Sequence, residues 1–432
     1  MYSPTITWSH VAICLLSLSS FQFGAATPIN GDLVARAGVA SPGIGVEFES
    51  GSIYFTKDVH SMNAAEKEAV KEAGVDAKGK AVTLQAGKGG NGAKFAGNDW
   101  ELTADATGST LGRLPAEYIL NGKKIKLGTG RAAKAAEEVY ENLKKWDPKT
   151  GQEFDIASNK KNPWSLSVGK DPVNSVWSRQ ITAPMPLGAI NDLMKEAKLH
   201  KPLTSPLMTY ANYKKQNKVW VNDFFFEENP GGLTKATGED VRGFFSLLLS
   251  YAKAGSQVRN SESAKELTSI MPRTSFSKIY KLIESKLDKK DLWTIVNKLA
   301  CYENPMDDAD EYAAVDERYC SGHPGQTTIN GKFEKLEINI CYGSQACPVN
   351  VKAWIQGLAS GKDLLKDADK EMIDGQVGGY GDLTEYRLGH PNEQLALFEF
   401  RDLPSCKASE WKSCLEKAET AIVNYHKKFP GN

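Results

Sequence analysis

The stretch GIGVEFES, residues 43–50, sets two glutamates two positions apart in an otherwise apolar run. Side chains of a strand alternate between faces, so Glu47 and Glu49 share one face while Val46 and Phe48 share the other. A strand of this kind is either the wet side of an antiparallel sheet or the floor of a site, and the rest of the chain has to decide between them.

The same period recurs late. In LFEFRDL, residues 397–403, Glu399 and Arg401 fall on one face, opposite Phe398, Phe400 and Asp402. In SRQITAPM, residues 178–185, Gln180 and Thr182 share a face. Several strands that each carry paired polar groups in apolar surroundings point to a charged sheet face. Grouped carboxylates supply the oxygen ligands that Mg²⁺ takes, and arginines hold phosphate or carboxylate.

Around these strands the apolar spacing predicts further elements. RAAKAAEEVYENLKKW (131–146) is an amphipathic helix, and DVRGFFSLLLSYAKAG (240–255) is apolar nearly all round and reads as a buried one. Helical spacing also runs through SMNAAEKEAVKEAGV (61–75), GAINDLMKEAKL (188–199), FSKIYKLIESKL (276–287), DLWTIVNKLACY (291–302) and the closing SEWKSCLEKAETAIVNYHKKF (409–429). AVTLQA (81–86), WELTADA (100–106), AEYIL (116–120) and KIKLG (124–128) read as short strands separated by turn residues. VWVNDFFFEENPGG (219–232) is core-like, although Phe224, Phe225 and Phe226 cannot all point inward from one strand. Strands and helices are interspersed without regular βαβ alternation. The expected class is α+β, with a mainly antiparallel sheet, and residues 41–428 form one globular domain.

Residues 1–26 read as a secretory signal, with an apolar core ending in small residues, and 27–40 as a pro-segment or disordered N-terminus. No later run is long enough to span a bilayer, so the expectation is a secreted, extracellular protein without a membrane anchor. Cys301, Cys320, Cys341, Cys347, Cys406 and Cys414 lie in the last third, as disulfides of an exported chain would. Their pairing is open, though Cys341–Cys347 would close a short loop and residues 301–347 read as a disulfide-tied excursion. Lys plus Arg and Asp plus Glu are equal at 53 each, which removes the easy case for nucleic acid, a partner that wants a basic face. No G-x-S-x-G is present, and no histidine stands in a triad context. The glycine loop GKGGNGAKF (87–95) lacks the G-K-[ST] ending of a phosphate loop.

The order of these pieces resembles the amidoligase branch of the glutamine synthetase-like carboxylate–amine ligases. The opening G-x-E-x-E is matched by Gly45, Glu47 and Glu49, and the W-x-x-x-x-D strand by Trp100 and Asp105. Glu117 stands for the glutamate of the next strand, Gln180 for the polar central strand, and Arg273 in IMPRTSF for the isolated arginine. Glu399 and Arg401 match the terminal E-F-R strand. The resemblance implies a curved antiparallel sheet flanked by helices, with Mg²⁺ and ATP in its funnel and an acyl phosphate attacked by an amine. It assigns Glu47, Glu49 and Glu399 to metal, Glu117 and Asp105 to cofactor binding, and Gln180, Arg273 and Arg401 to catalysis. Two departures stand out: Thr182 is followed by APMP where a histidine or polar pair is usual, and YILNG follows Glu117 in place of Ser-Pro or Thr-Pro.

GVEFES, RQITAPMPL, GFFSLLLSYAK, IMPRTSF and FEFRDL also resemble a broad group of secreted filamentous-fungal proteins, a likeness that brings no activity with it. It implies the competing role, a non-catalytic secreted effector or virulence-associated binding protein acting on a host protein. In an enzyme the carboxylates and arginines named above converge on one cavity, with a small-molecule substrate; a binder needs only an exposed patch.

Overall fold

A computed structural model describes residues 41–65, 67, 93–105, 112–146, 152–155, 164–201, 205–255, 268–287, 291–305, 312–339, 348–365, 384–401 and 403–429. The expected signal and pro-segment, the strand over 81–86, most of the helix over 61–75 and the Cys341–Cys347 pair lie outside these residues.

The protein is α+β, built on one mainly antiparallel nine-stranded sheet. Its strands are β1 (Gly45–Thr56), β2 (Trp100–Ala104), β3 (Arg113–Leu120), β4 (Gln152–Asp155), β5 (Ser165–Val168), β6 (Ser178–Met185), β7 (Ile270–Pro272), β8 (Thr384–Arg387) and β9 (His390–Phe400). The main path runs β8-β9-β6-β1-β3-β2, with β7 on β9 and the β4-β5 pair on the far end of β1. The register between β1 and β3 shifts between Glu49 and Tyr54, which re-aims the second half of β1 toward β5.

The described helices include α1 (Arg131–Trp146), α2 (Leu187–Lys198), α3 (Tyr210–Lys215), α4 (Glu239–Gly255), α5 (Phe276–Lys281), α6 (Leu292–Leu299), α7 (Val351–Leu358) and α8 (Trp411–Lys428). The apolar sheet face carries Val46, Phe48, Leu102, Tyr118, Ile181, Ala183, Phe398 and Phe400, all buried. Phe48 stacks on Trp411 of α8 with ring centroids 4.2 Å apart, and Trp177 meets the same ring edge-on at 5.2 Å. Tyr118 Oη donates to Asn142 Oδ1 of α1 at 2.8 Å, a carbonyl that Trp146 Nε1 shares at 2.9 Å. Each large side chain sealed there contributes on the order of 1.5–3 kcal/mol. One sheet face is therefore closed by helices, which leaves the period-two polar residues on the other.

Glu419 joins α8 to α1. Its Oε1 accepts from the backbone N–H groups of Gly128 (2.7 Å), Thr129 (3.1 Å) and Gly130 (3.3 Å), just ahead of α1. An anion suits donors converging at a helix start, so this buried carboxylate locks the two helices together. Beside α8, where Tyr425 Oη donates to Glu196 of α2 at 2.9 Å, α2 and α4 touch backbone to backbone. A Cβ added to Gly243 would stand 1.9 Å from the Leu187 carbonyl oxygen, so only glycine fits.

One sequence expectation is corrected, and one open question is answered. KIKLG is no strand: Lys126 makes one isolated bridge to Gly43 while Ile125 and Leu127 bury their side chains from a turn. Phe224–Phe226 lie in a 3₁₀ turn, Asp223–Phe226, capped by Asn222, whose side chain accepts from Phe224 N at 3.2 Å. Three residues per turn let Phe225 and Phe226 both reach the core and leave Phe224 partly exposed, which no strand allows. Disulfides join Cys301 to Cys320 and Cys406 to Cys414. Among the described residues no helix is long and apolar enough to cross a membrane.

Candidate functional site

Strand pairing assembles the polar face. Glu49 lies opposite Glu117 of β3 and Ser178 of β6, and Glu47 lies opposite Gln180. Thr182 pairs with both Gly45 and Glu399, and Thr103 of β2 lies opposite Glu117. Asp105 follows β2, its N–H donating to the Pro115 carbonyl at 2.8 Å. Arg273 leaves β7 with its N–H on the Leu397 carbonyl at 2.8 Å. Residues as far apart in the chain as Glu47 and Glu399 thus share one surface.

Oxygen atoms of Glu47, Glu49 and Glu117 come within 4.8 Å of one another. Gln180 Nε2 donates to Glu49 Oε1 at 2.6 Å, and Ser178 Oγ donates to Glu49 Oε2 at 3.3 Å. The sequence order had suggested Glu399 as the third metal carboxylate. Glu399 stands beside this group, where its charge acts on Glu47, with its own Oε2 3.1 Å from Arg273 Nε and Oε1 2.9 Å from Arg401 Nη1. Glu117 is the third member of the convergent group.

The electrostatics follow from this crowding. Burial pushes the Glu47 carboxyl up to about 7, helped by the charges of Glu399 and Glu49 and opposed by Arg273 and Arg401. Burial also raises Glu49, with Asp105 adding to the effect and Arg401 and the Ser178 hydrogen bond working against it. Five carboxylates (Glu47, Glu49, Asp105, Glu117 and Glu399) face two guanidinium groups, so the surface carries an excess of negative charge that Glu47 partly relieves by keeping its proton.

An open cavity of about 250 Å³ adjoins the group, lined among others by Glu49, Tyr54, Asp105, Pro115, Glu117 and Ser178. Arg113 covers the Tyr54 ring, its guanidinium carbon 3.5 Å from the centroid. Sequence reasoning passed over Ser178 and Tyr54. The first was legible, two positions before Gln180 in the same period. Tyr54 was not, because the register shift after Glu49 breaks the alternation.

Comparison of the chain with protein-family models, curated proteins and solved structures finds no match.

Proposed function

We propose that the polar face is a divalent-cation and nucleotide site of the carboxylate–amine ligase kind, carried on a glutamine synthetase-like sheet in a secreted protein. The observation that supports it is the three-carboxylate group beside two arginines, with one carboxyl driven up to about 7 by burial and by its carboxylate neighbours.

The donor set suits magnesium. It is all oxygen, and opposite ligands of an octahedral Mg²⁺ lie about 4.2 Å apart, from bond lengths near 2.1 Å. A group already within 4.8 Å closes onto such an ion with small side-chain shifts. Glu47, Glu49 and Glu117 would hold it, and when bound it would supply charge neutralisation at a phosphate. Gln180 and Ser178 fix the direction of the Glu49 oxygens. Arg273 and Arg401 would hold the anionic group of a substrate or nucleotide. The acidic cavity walled by Asp105, Glu117 and Tyr54 suits the cationic amine partner.

The test is thermal unfolding of the protein with Mg²⁺ alone and with Mg²⁺ and ATP, for wild type and the Glu47→Gln/Glu49→Gln double variant. A ligand that binds only the folded state stabilises it by about 2.7 kcal/mol at a hundredfold excess over Kd. The expected result is a rise in transition temperature that the double variant loses. No rise with millimolar nucleotide and Mg²⁺ would overturn the reading and leave a binding protein.

A further inference from the structure

Glu399 differs from the other carboxylates of this face in what holds it. It is 2% exposed, and each oxygen meets a guanidinium: Arg273 Nε at 3.1 Å and Arg401 Nη1 at 2.9 Å. The sheet itself delivers both arginines. Arg401 follows β9 two residues beyond Glu399, on the same face, and Arg273 follows β7, where Met271 lies opposite Glu399. The side chains of Arg401 and Arg273 are 25% and 24% exposed, whereas the carboxylate they share is sealed.

A metal ion approaching Glu399 would have to displace two charge-assisted hydrogen bonds and expose a buried group. The oxygens of Glu47, Glu49 and Glu117, by contrast, already converge on one another, and those of Glu49 are held by the neutral donors Gln180 and Ser178. The Arg–Glu–Arg triad carries one net positive charge and presents it beside the carboxylate group.

We propose that Glu399 is a positioning residue, not a metal ligand: it holds Arg273 and Arg401 side by side as a seat for an oxyanion, a substrate carboxylate or a terminal phosphate. This rests on the reading of the face given above and assigns the charge balance of its basic end. Glu399 sets the seat at one positive charge and so sets which anions it prefers.

Titration calorimetry tests this on the full chain with three probes: Mn²⁺ alone, inorganic tripolyphosphate with chelator, and succinate with chelator. In Glu399→Gln the Mn²⁺ affinity falls only by the few-fold that loss of a neighbouring negative charge costs, whereas Glu47→Gln loses about tenfold or more. The same variant raises the seat to two positive charges, so the tripolyphosphate-to-succinate affinity ratio rises about tenfold. Any loss of arginine order affects both anions and largely cancels in that ratio. Glu399→Asp keeps the charge and holds the ratio at its wild-type value. With Arg273 and Arg401 both changed to Gln, the ratio no longer responds to Glu399→Gln. A loss of Mn²⁺ affinity in Glu399→Gln as large as in Glu47→Gln, or an unchanged ratio, overturns the proposal. Wild type that binds both anions but not Mn²⁺ overturns the cation reading while the seat stands; Mn²⁺ binding with neither anion overturns the seat.

Discussion

Gln180 Nε2 donates to Glu49 Oε1 across 2.6 Å, a hydrogen bond between adjacent strands of the polar face. Glu49 is raised by burial and by Asp105, and the Ser178 hydroxyl on its other oxygen opposes that shift. A carboxylate held this way keeps one orientation, so Gln180 governs how the group presents its oxygens.

Replacing Gln180 by Ala removes that donor and leaves Glu49 Oε1 without it. The expected cost is about tenfold in Mn²⁺ affinity by calorimetry, with about 1–2 kcal/mol of stability by urea unfolding. An unchanged Mn²⁺ affinity would show that the orientation of Glu49 does not matter for the ion.

Glu47 predicts an unusual pH limb. Its folded pKa of about 7 lies above the ordinary 4.5, so the folded chain keeps a proton that the unfolded chain releases. Stability from this group is full below about pH 4.5 and is lost as pH rises through about 7. In chelator, Glu47→Gln removes that slope and exceeds wild type by about 2 kcal/mol above pH 7, after allowance for the partial exposure of the group. Denaturant midpoints at pH 5 and pH 8 give the comparison, and parallel wild-type and variant curves would refute it.

His426 predicts the opposite slope. Its ring is buried between β6 and the β8–β9 turn, with Nε2 2.8 Å from the Pro184 carbonyl and Nδ1 accepting from Leu388 N at 3.1 Å. Burial lowers its pKa to about 4, with the nearby Arg387 adding to the effect and the Pro184 carbonyl opposing it. The unfolded chain therefore takes up a proton between about pH 6.5 and 4 that the folded chain refuses. Stability is lost as pH falls through that window, by up to about 3 kcal/mol. His426→Gln is less stable at neutral pH but has a shallower acid limb; an equally steep limb would assign acid sensitivity to other groups.

Gly243→Ala tests the closeness of α2 and α4. A methyl group 1.9 Å from the Leu187 carbonyl must push the helices apart. The expected loss is about 1–3 kcal/mol in denaturant midpoint, although Ala favours helix by about 1 kcal/mol. A gain in stability would mean that the helices separate at little cost.

Much of the local structure was written in local spacing. The period-two pairs Glu47/Glu49 and Gln180/Thr182 fall on the strands that their alternation predicts, Glu399 lies in β9 with Arg401 just after it, and the helices over 131–146 and 411–428 follow their apolar spacing. Alternation and helical periodicity are properties of a few consecutive residues, so one sequence carries them. KIKLG misled because a turn can also bury alternate apolar side chains, and a 3₁₀ turn is what lets two successive phenylalanines, Phe225 and Phe226, reach the core.

What the sequence could not determine is which strands become neighbours. Glu117 joins Glu47 and Glu49 because β3 pairs with β1 in a register that sets Glu117 opposite Glu49. Glu399 stands between two arginines because β7, more than a hundred residues earlier, is laid along the same strand. Pairing of that kind is decided when the apolar faces are packed against α1 and α8, a global balance of burial against chain entropy that no short stretch encodes.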